Sequence, residues 1–173
     1  MSMENLEQFA DLLDYPTPAR LAACSPDAWP DASPVMRDLV GQFARQAQAL
    51  PLTQLEEIYA ATFDLQPDCT LNLGHQLFGE DHGKHSALLI ELAAAAKKAG
   101  LDVGTELPDH LCWLLRLLAR SPEDAEIQDL APYCVLPGLR TLTQRVPPDH
   151  IYQPLLQALY LLLASHPLGE AAA

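Results

Sequence analysis

Apolar residues recur along this chain at the three- and four-residue spacing of helices buried on one side. Leu6, Phe9, Ala10 and Leu13 open the pattern after Ser2 and Glu4, and the run stops before Tyr15-Pro16. Ser33-Pro34 is an N-cap followed by a first-turn proline; it opens a helix with Val35, Leu39, Phe43 and Leu50 on one face. Thr53 and Glu56 form a capping-box pattern ahead of Leu55, Ile58, Tyr59, Thr62 and Phe63. From about Lys84 to Ala99 the stripe is Leu88, Leu89, Leu92, Ala95 and Ala96. Lys97 and Lys98 lie in its last turn and Gly100 stops it. Leu107, Leu111, Leu114, Leu115 and Leu118 mark the next helix, with Pro108 in its first turn. Ser121-Pro122-Glu123 starts a short helix ending near Ala131, and Leu136, Leu139 and Leu142 suggest another. A last helix runs from about Pro148 to Ser165 with Ile151, Leu155, Leu159 and Leu162 inward. One stretch reads two ways: Leu71, Leu73, His75, Leu77 and Phe78 alternate as a short strand would, while their neighbours favour a helix.

About nine helical segments and no hairpin turn signal predict an all-α fold, a single compact helical bundle. Residues 1–165 form the predicted domain and 166–173 a flexible C-terminal tail. The proline-rich stretch 15–33 reads as a loop with a short helix inside it. Of the 173 residues, 49% are apolar but only 6% aromatic. Leucine and alanine therefore carry the core, which suits helices better than a sandwich of β-branched strands.

Composition narrows the functional classes. The net charge of −13 would repel phosphate backbones and anionic lipid heads, so neither nucleic acid nor a membrane surface is an expected partner. A cationic peptide suits it better, although such a charge also serves plain solubility. Cys24, Cys69, Cys112 and Cys134 are dispersed and form no C-x-x-C pair, the pattern of reduced, mostly buried thiols. With no basic-then-apolar start and no apolar run of spanning length, a cytoplasmic protein without membrane insertion is expected. His82 and His85 stand three apart, but no further ligand spacing supports a metal. No nucleophile elbow, phosphate-binding loop or dinucleotide glycine pattern occurs. Gly79-Glu-Asp-His-Gly83 has the wrong charge for cradling phosphate. Neither an enzyme nor a cofactor is expected.

Two short segments stand out: Tyr59-Ala-Ala-Thr-Phe-Asp-Leu65, followed by Leu71 to Gly79, and Glu106-Leu-Pro-Asp-His-Leu111. In that order, after Phe9-Ala-Asp-Leu-Leu-Asp-Tyr-Pro16, they resemble the NarJ-like delta-subunit chaperones of nitrate reductases and the wider TorD and DmsD group. The likeness covers about residues 6 to 120. The chain departs from the pattern at Lys84-His85, Leu111-Cys112-Trp113 and Leu115-Arg116-Leu117, which leaves the client open. The resemblance implies a helical chaperone, monomeric or weakly dimeric. Its partner would be the apo catalytic subunit of a molybdenum-cofactor oxidoreductase, a nitrate reductase or a relative in the dimethyl sulfoxide reductase family. It would hold the N-terminal leader of that subunit for cofactor insertion. The alternative is a helical adaptor of the same fold with another peptide client. An acidic, leucine-lined groove would suit a basic, apolar leader. By position, Tyr59, Phe63 and Phe78 are candidate groove walls. Asp64, Glu106 and Asp109 are candidates for a negative rim, with His75 and His110 nearby. The i,i+4 spacing of Tyr59 and Phe63 is equally that of core packing, and Glu106 and Asp109 are equally placed to cap a helix.

Overall fold

The computed structural model describes residues 3–165, apart from 23, 25–28, 30, 31, 103 and 105. Ser2 and the expected tail 166–173 lie outside the described residues. The protein is all-α. In chain order the helices are α1 (Met3–Leu12), α2 (Pro18–Ala22), α3 (Pro34–Gln48), α4 (Leu52–Tyr59), α5 (Leu73–Phe78), α6 (His82–Lys98), α7 (Leu111–Arg120), α8 (Ala125–Gln128), α9 (Leu136–Arg145) and α10 (Gln153–Ala164). A wide π turn, Ala60–Asp64, extends α4, and another, Ala131–Val135, leads into α9. The short helix expected between residues 15 and 33 is α2.

Burial follows the sequence period in most elements. Leu6, Phe9, Ala10 and Leu13 are buried as expected, and α1 packs against α7. Leu111, Leu114, Leu115 and Leu118 are buried on the α7 side. α10 packs between α3 and α9. Tyr152, just ahead of α10, is the junction of that side. Its ring lies 5.1 Å from Phe43, 5.1 Å from Phe63 and 5.9 Å from Tyr59, joining three segments by edge and tilted aromatic contacts. The four cysteines are buried and unpaired.

Several boundaries differ from expectation for identifiable reasons. On α3 the buried face is Met36, Val40, Phe43, Ala44 and Ala47, and Val35 is exposed. The Ser33 cap stands, with its Oγ accepting from Met36 N–H at 3.2 Å. Pro51, extended at φ −58° and ψ 142°, takes the N-cap position of α4. Thr53 therefore falls inside the first turn, and no capping box forms there. Leu107 to His110 make a turn, with His110 N–H donating to the Leu107 carbonyl, so α7 starts at Leu111 and Pro108 precedes it. Turns of the same kind at 147–153 delay α10 to Gln153. The ambiguous stretch resolves as helix: Leu73 begins α5, and ahead of it Asn72 is extended, making one isolated antiparallel bridge to His110.

That bridge belongs to a larger clasp. The first N–H groups of a helix have no partner within it. At α5 they are met by Asp109: Leu73 N–H donates to its carbonyl at 3.0 Å, and Gly74 N–H to its Oδ2 at 3.0 Å. Leu111 N–H closes the other side on the Leu71 carbonyl at 2.8 Å. His85 of α6 brings Nε2 to the same Asp109 oxygen at 2.8 Å. Asp109, expected on a groove rim, is 0% exposed and caps a helix from a remote turn. The crowding explains Gly74, where an added Cβ would overlap the His85 ring and stand 2.6 Å from Asp109 Oδ2.

Two substitutions test the clasp. Gly74→Ala should lower unfolding free energy by about 1–3 kcal/mol through overpacking. Asp109→Ala should cost about 2–3 kcal/mol by leaving Gly74 N–H and His85 without their acceptor. Denaturant titration followed by circular dichroism measures both. An Asp109→Ala protein as stable as the parent would show that the clasp contributes nothing.

Candidate functional site

The end of α1, the π turn after α4 and the start of α7 converge on one recess of about 220 Å³. Asp14 and Tyr15 follow α1, and Tyr59 and Asp64 come from the α4 side. Glu106, His110, Trp113 and Arg116 come from the clasp and α7. The π turn matters here. Its extra residue per turn rotates the backbone after Tyr59, so that buried Thr62 and Phe63 are followed by exposed Asp64. Thr62 holds that turn in place by donating its Oγ1 hydroxyl to the Ile58 carbonyl at 2.7 Å and meeting His150 Nε2 at 2.9 Å.

Four of the eight residues singled out by sequence, Tyr59, Asp64, Glu106 and His110, line this recess. The other four do not. Phe63 is in the core, 5.1 Å from the rings of both Tyr59 and Tyr152. Asp109 is buried in the clasp. His75 and Phe78 sit half-buried on α5, and neither lines the recess. Tyr59 itself is mostly core; its hydroxyl donates to the Leu13 carbonyl at 3.1 Å, and burial pushes its pKa far above the ordinary value. The recess is also not leucine-lined as expected. Its apolar surface is the rings of Tyr15, Tyr59 and Trp113, because the leucines of α7 point into the bundle.

Asp14, Tyr15, Trp113 and Arg116 were missed by motif reading. Arg116 carried a signal, being the single charge inside Leu114-Leu115-Arg116-Leu117-Leu118. A cation so placed needs acidic partners, and it finds Asp11 at 2.9 Å and Asp14 at 3.1 Å. Asp14 also takes Arg20 at 2.7 Å. Asp64 and Glu106 form no ion pair among the described residues. The rim thus carries one internally neutralised carboxylate, Asp14, and two that hold no cation, Asp64 and Glu106. Leu65, 76% exposed, and Leu107 follow these two open acids in sequence and add exposed apolar surface.

His110 Nδ1 is buried with no hydrogen-bond partner among the described residues. Burial lowers its pKa below the ordinary 6.5, against the opposing pull of Glu106, Asp14 and Asp109. His150 is lowered likewise by burial. Its Nδ1 accepts from Tyr152 N–H at 3.3 Å, so the proton of the neutral ring sits on Nε2 and points to Thr62. No described group of three or more His, Cys, Asp or Glu side chains has the geometry to hold a metal. Burial pushes the Cys24 thiol to about 11 and the Cys134 thiol to about 12, far from the thiolate state a nucleophile requires. No described helix is long and apolar enough to cross a membrane. No protein-family model matches this sequence, and comparison with curated proteins returns no match.

The two lowered histidines set the sign of a pH effect. With folded pKa values below the unfolded 6.5, the neutral forms stabilise the fold above pH 6.5, and that contribution is lost as pH falls through the folded values. Unfolding midpoints should therefore drop between pH 7 and pH 5. The double variant His110→Gln, His150→Gln should flatten that part of the profile. An unchanged slope would assign the acid sensitivity to other groups.

Proposed function

We propose that this chain is a peptide-binding chaperone of the NarJ type. Its client would be the immature catalytic subunit of a molybdenum-cofactor oxidoreductase, bound through a basic, apolar N-terminal segment. The observation that carries this reading is the meeting of Tyr59, Asp64, Glu106 and His110, from two segments far apart in sequence, around one recess with two unneutralised carboxylates. Such a recess, walled by tyrosine and tryptophan rings, suits the planar guanidinium of an arginine or the ammonium of a lysine. Ring faces attract cations, and the acids neutralise them. An internal precedent lies beside it, where the Arg116 guanidinium stands 5.6 Å from the Trp113 ring centre while bonded to Asp11 and Asp14. Turnover is not part of the reading. The buried thiols and the clasped Asp109–His85 pair supply no activated nucleophile, and the exposed acids Asp64 and Glu106 face a recess suited to binding. Reversible capture fits exposed charges, which give steering and modest affinity rather than an irreversible grip.

Calorimetry with a synthetic leader peptide from a molybdoenzyme catalytic subunit tests this. Affinity should fall as salt rises from 50 to 500 mM, because the rim charges are exposed. Asp64→Asn and Glu106→Gln should each weaken binding about 2–5-fold, as rim charges do. Trp113 emission should change on binding. Binding that ignores salt and both substitutions would remove the recess from the account.

A further inference from the structure

Helix α6 is unusual in this bundle. It runs for 17 residues yet fully buries just Leu92 and Ala96, while Ile90 is 72% exposed. It is pinned near both ends by polar contacts: His85 to Asp109 at 2.8 Å, and Lys98 Nζ to Asp124 Oδ2 at 2.7 Å. Between the pins a groove of about 490 Å³ opens between α6 and the α8 region. That volume falls within the roughly 300–1,000 Å³ of ligand clefts. Leu88, Leu92 and Ala95 form one wall and Ile127 and Leu130 the other, with Glu91 and Glu126 exposed at its lips. A surface helix ordinarily buries its whole apolar stripe. Here three of the five stripe residues, Leu88, Leu89 and Ala95, are only partly covered.

We propose that this groove docks an amphipathic, positively charged helix of a partner protein. This rests on the peptide-binding reading above and gives it a second, apolar contact separate from the aromatic recess. Charge selects the occupant. Neither Glu91 nor Glu126 forms an ion pair among the described residues; the lining cation Lys98 bonds to Asp124 and acts on Glu126 only at longer range. An arriving helix would place two or three apolar side chains at i, i+3 or i+4, and i+7 along the partly exposed Leu88, Ala95 and Leu130. Its arginines or lysines would meet the two glutamates. A second copy of this chain is disfavoured in that place, since it would bring a net charge of −13 and the same acidic lips against its twin.

The probe is an 18-residue helix of leucine, alanine and arginine, titrated into the isotope-labelled full chain and followed by amide chemical shifts. Shifts should concentrate in residues 88–98 and 125–130. Ala95→Trp, which fills the groove, should weaken binding at least tenfold. So should Glu91→Lys with Glu126→Lys, a pair of exposed substitutions that leaves the core alone. Three results would overturn the proposal: no binding of the probe; shifts confined to the surroundings of His110 and Trp113 with Ala95→Trp harmless; or a concentration-dependent dimer abolished by Ala95→Trp, which would make the groove a self-interface. A molybdoenzyme leader measured in parallel separates the two readings. Leader affinity unchanged by the groove variants but lowered by Glu106→Gln keeps the recess and sinks the groove. Leader binding absent while the probe binds the groove sinks the molybdoenzyme client and leaves the groove standing.

Discussion

The free N–H groups at the start of α5 find their acceptors thirty-five residues along the chain, in the carbonyl and carboxylate of Asp109. A buried carboxylate survives only when nearby donors replace the water it has lost. Asp109 has Gly74 N–H and His85 Nε2 on one oxygen, and its second oxygen has no partner among the described residues. Much of the candidate site hangs on this contact. It fixes the turn 107–110 against the 71–74 segment, which sets where Glu106 stands and where α7 begins. The position of His110, Trp113 and Arg116 follows from that, and with it one wall of the recess. On the far side, His85 is what ties the N-terminal end of α6 to the same point.

Helix existence was legible because burial imposes a 3.6-residue period, and Leu6, Phe9, Leu114 or Leu159 could hardly sit otherwise. What a motif residue does was legible only in part. Tyr59, Phe63, Asp64, Glu106, Asp109 and His110 lie within two conspicuous segments, but their roles divide by depth, and depth depends on partners remote in sequence. Asp109 illustrates the difficulty. Two positions before α7 it has the look of a local N-terminal acid, yet the helix it caps is α5. Phe63 likewise follows Tyr59 at helical spacing and turns inward because Tyr152, ninety residues away, completes the aromatic cluster. The π turn is a further reason. One additional residue per turn moves Asp64 off the face that regular helical geometry would assign it.

The α6 stripe fails for a different reason. Periodicity reports which residues share a face, and it groups Leu88, Leu89, Leu92, Ala95 and Ala96 on one side. It cannot report whether the bundle has anything to set against that side. α8 is four residues long and leaves a gap where a longer helix would have closed the packing. The leucine-walled, acid-lipped groove foreseen beside Tyr59 and His110 therefore has its nearest physical counterpart on another face of the molecule.

Net charge is a poor guide to where an acidic protein attracts cations, because carboxylates differ in what they already hold. Asp11 and Asp14 are bound by Arg116 and Arg20, Asp124 by Lys98, and Asp109 by a histidine and a backbone amide. Their fields are largely cancelled at short range. Asp64 and Glu106 at the recess, and Glu91 and Glu126 at the groove, form no ion pair among the described residues, although Glu126 lies within the field of Lys98. Exposed and water-screened, each adds little to the strength of a contact. In the proposed binding role, such charges would bias which peptides arrive and in which orientation, while apolar burial against rings or leucines would govern how long they stay. A binder built this way discriminates by charge yet releases readily, which is the behaviour the proposed chaperone reading requires.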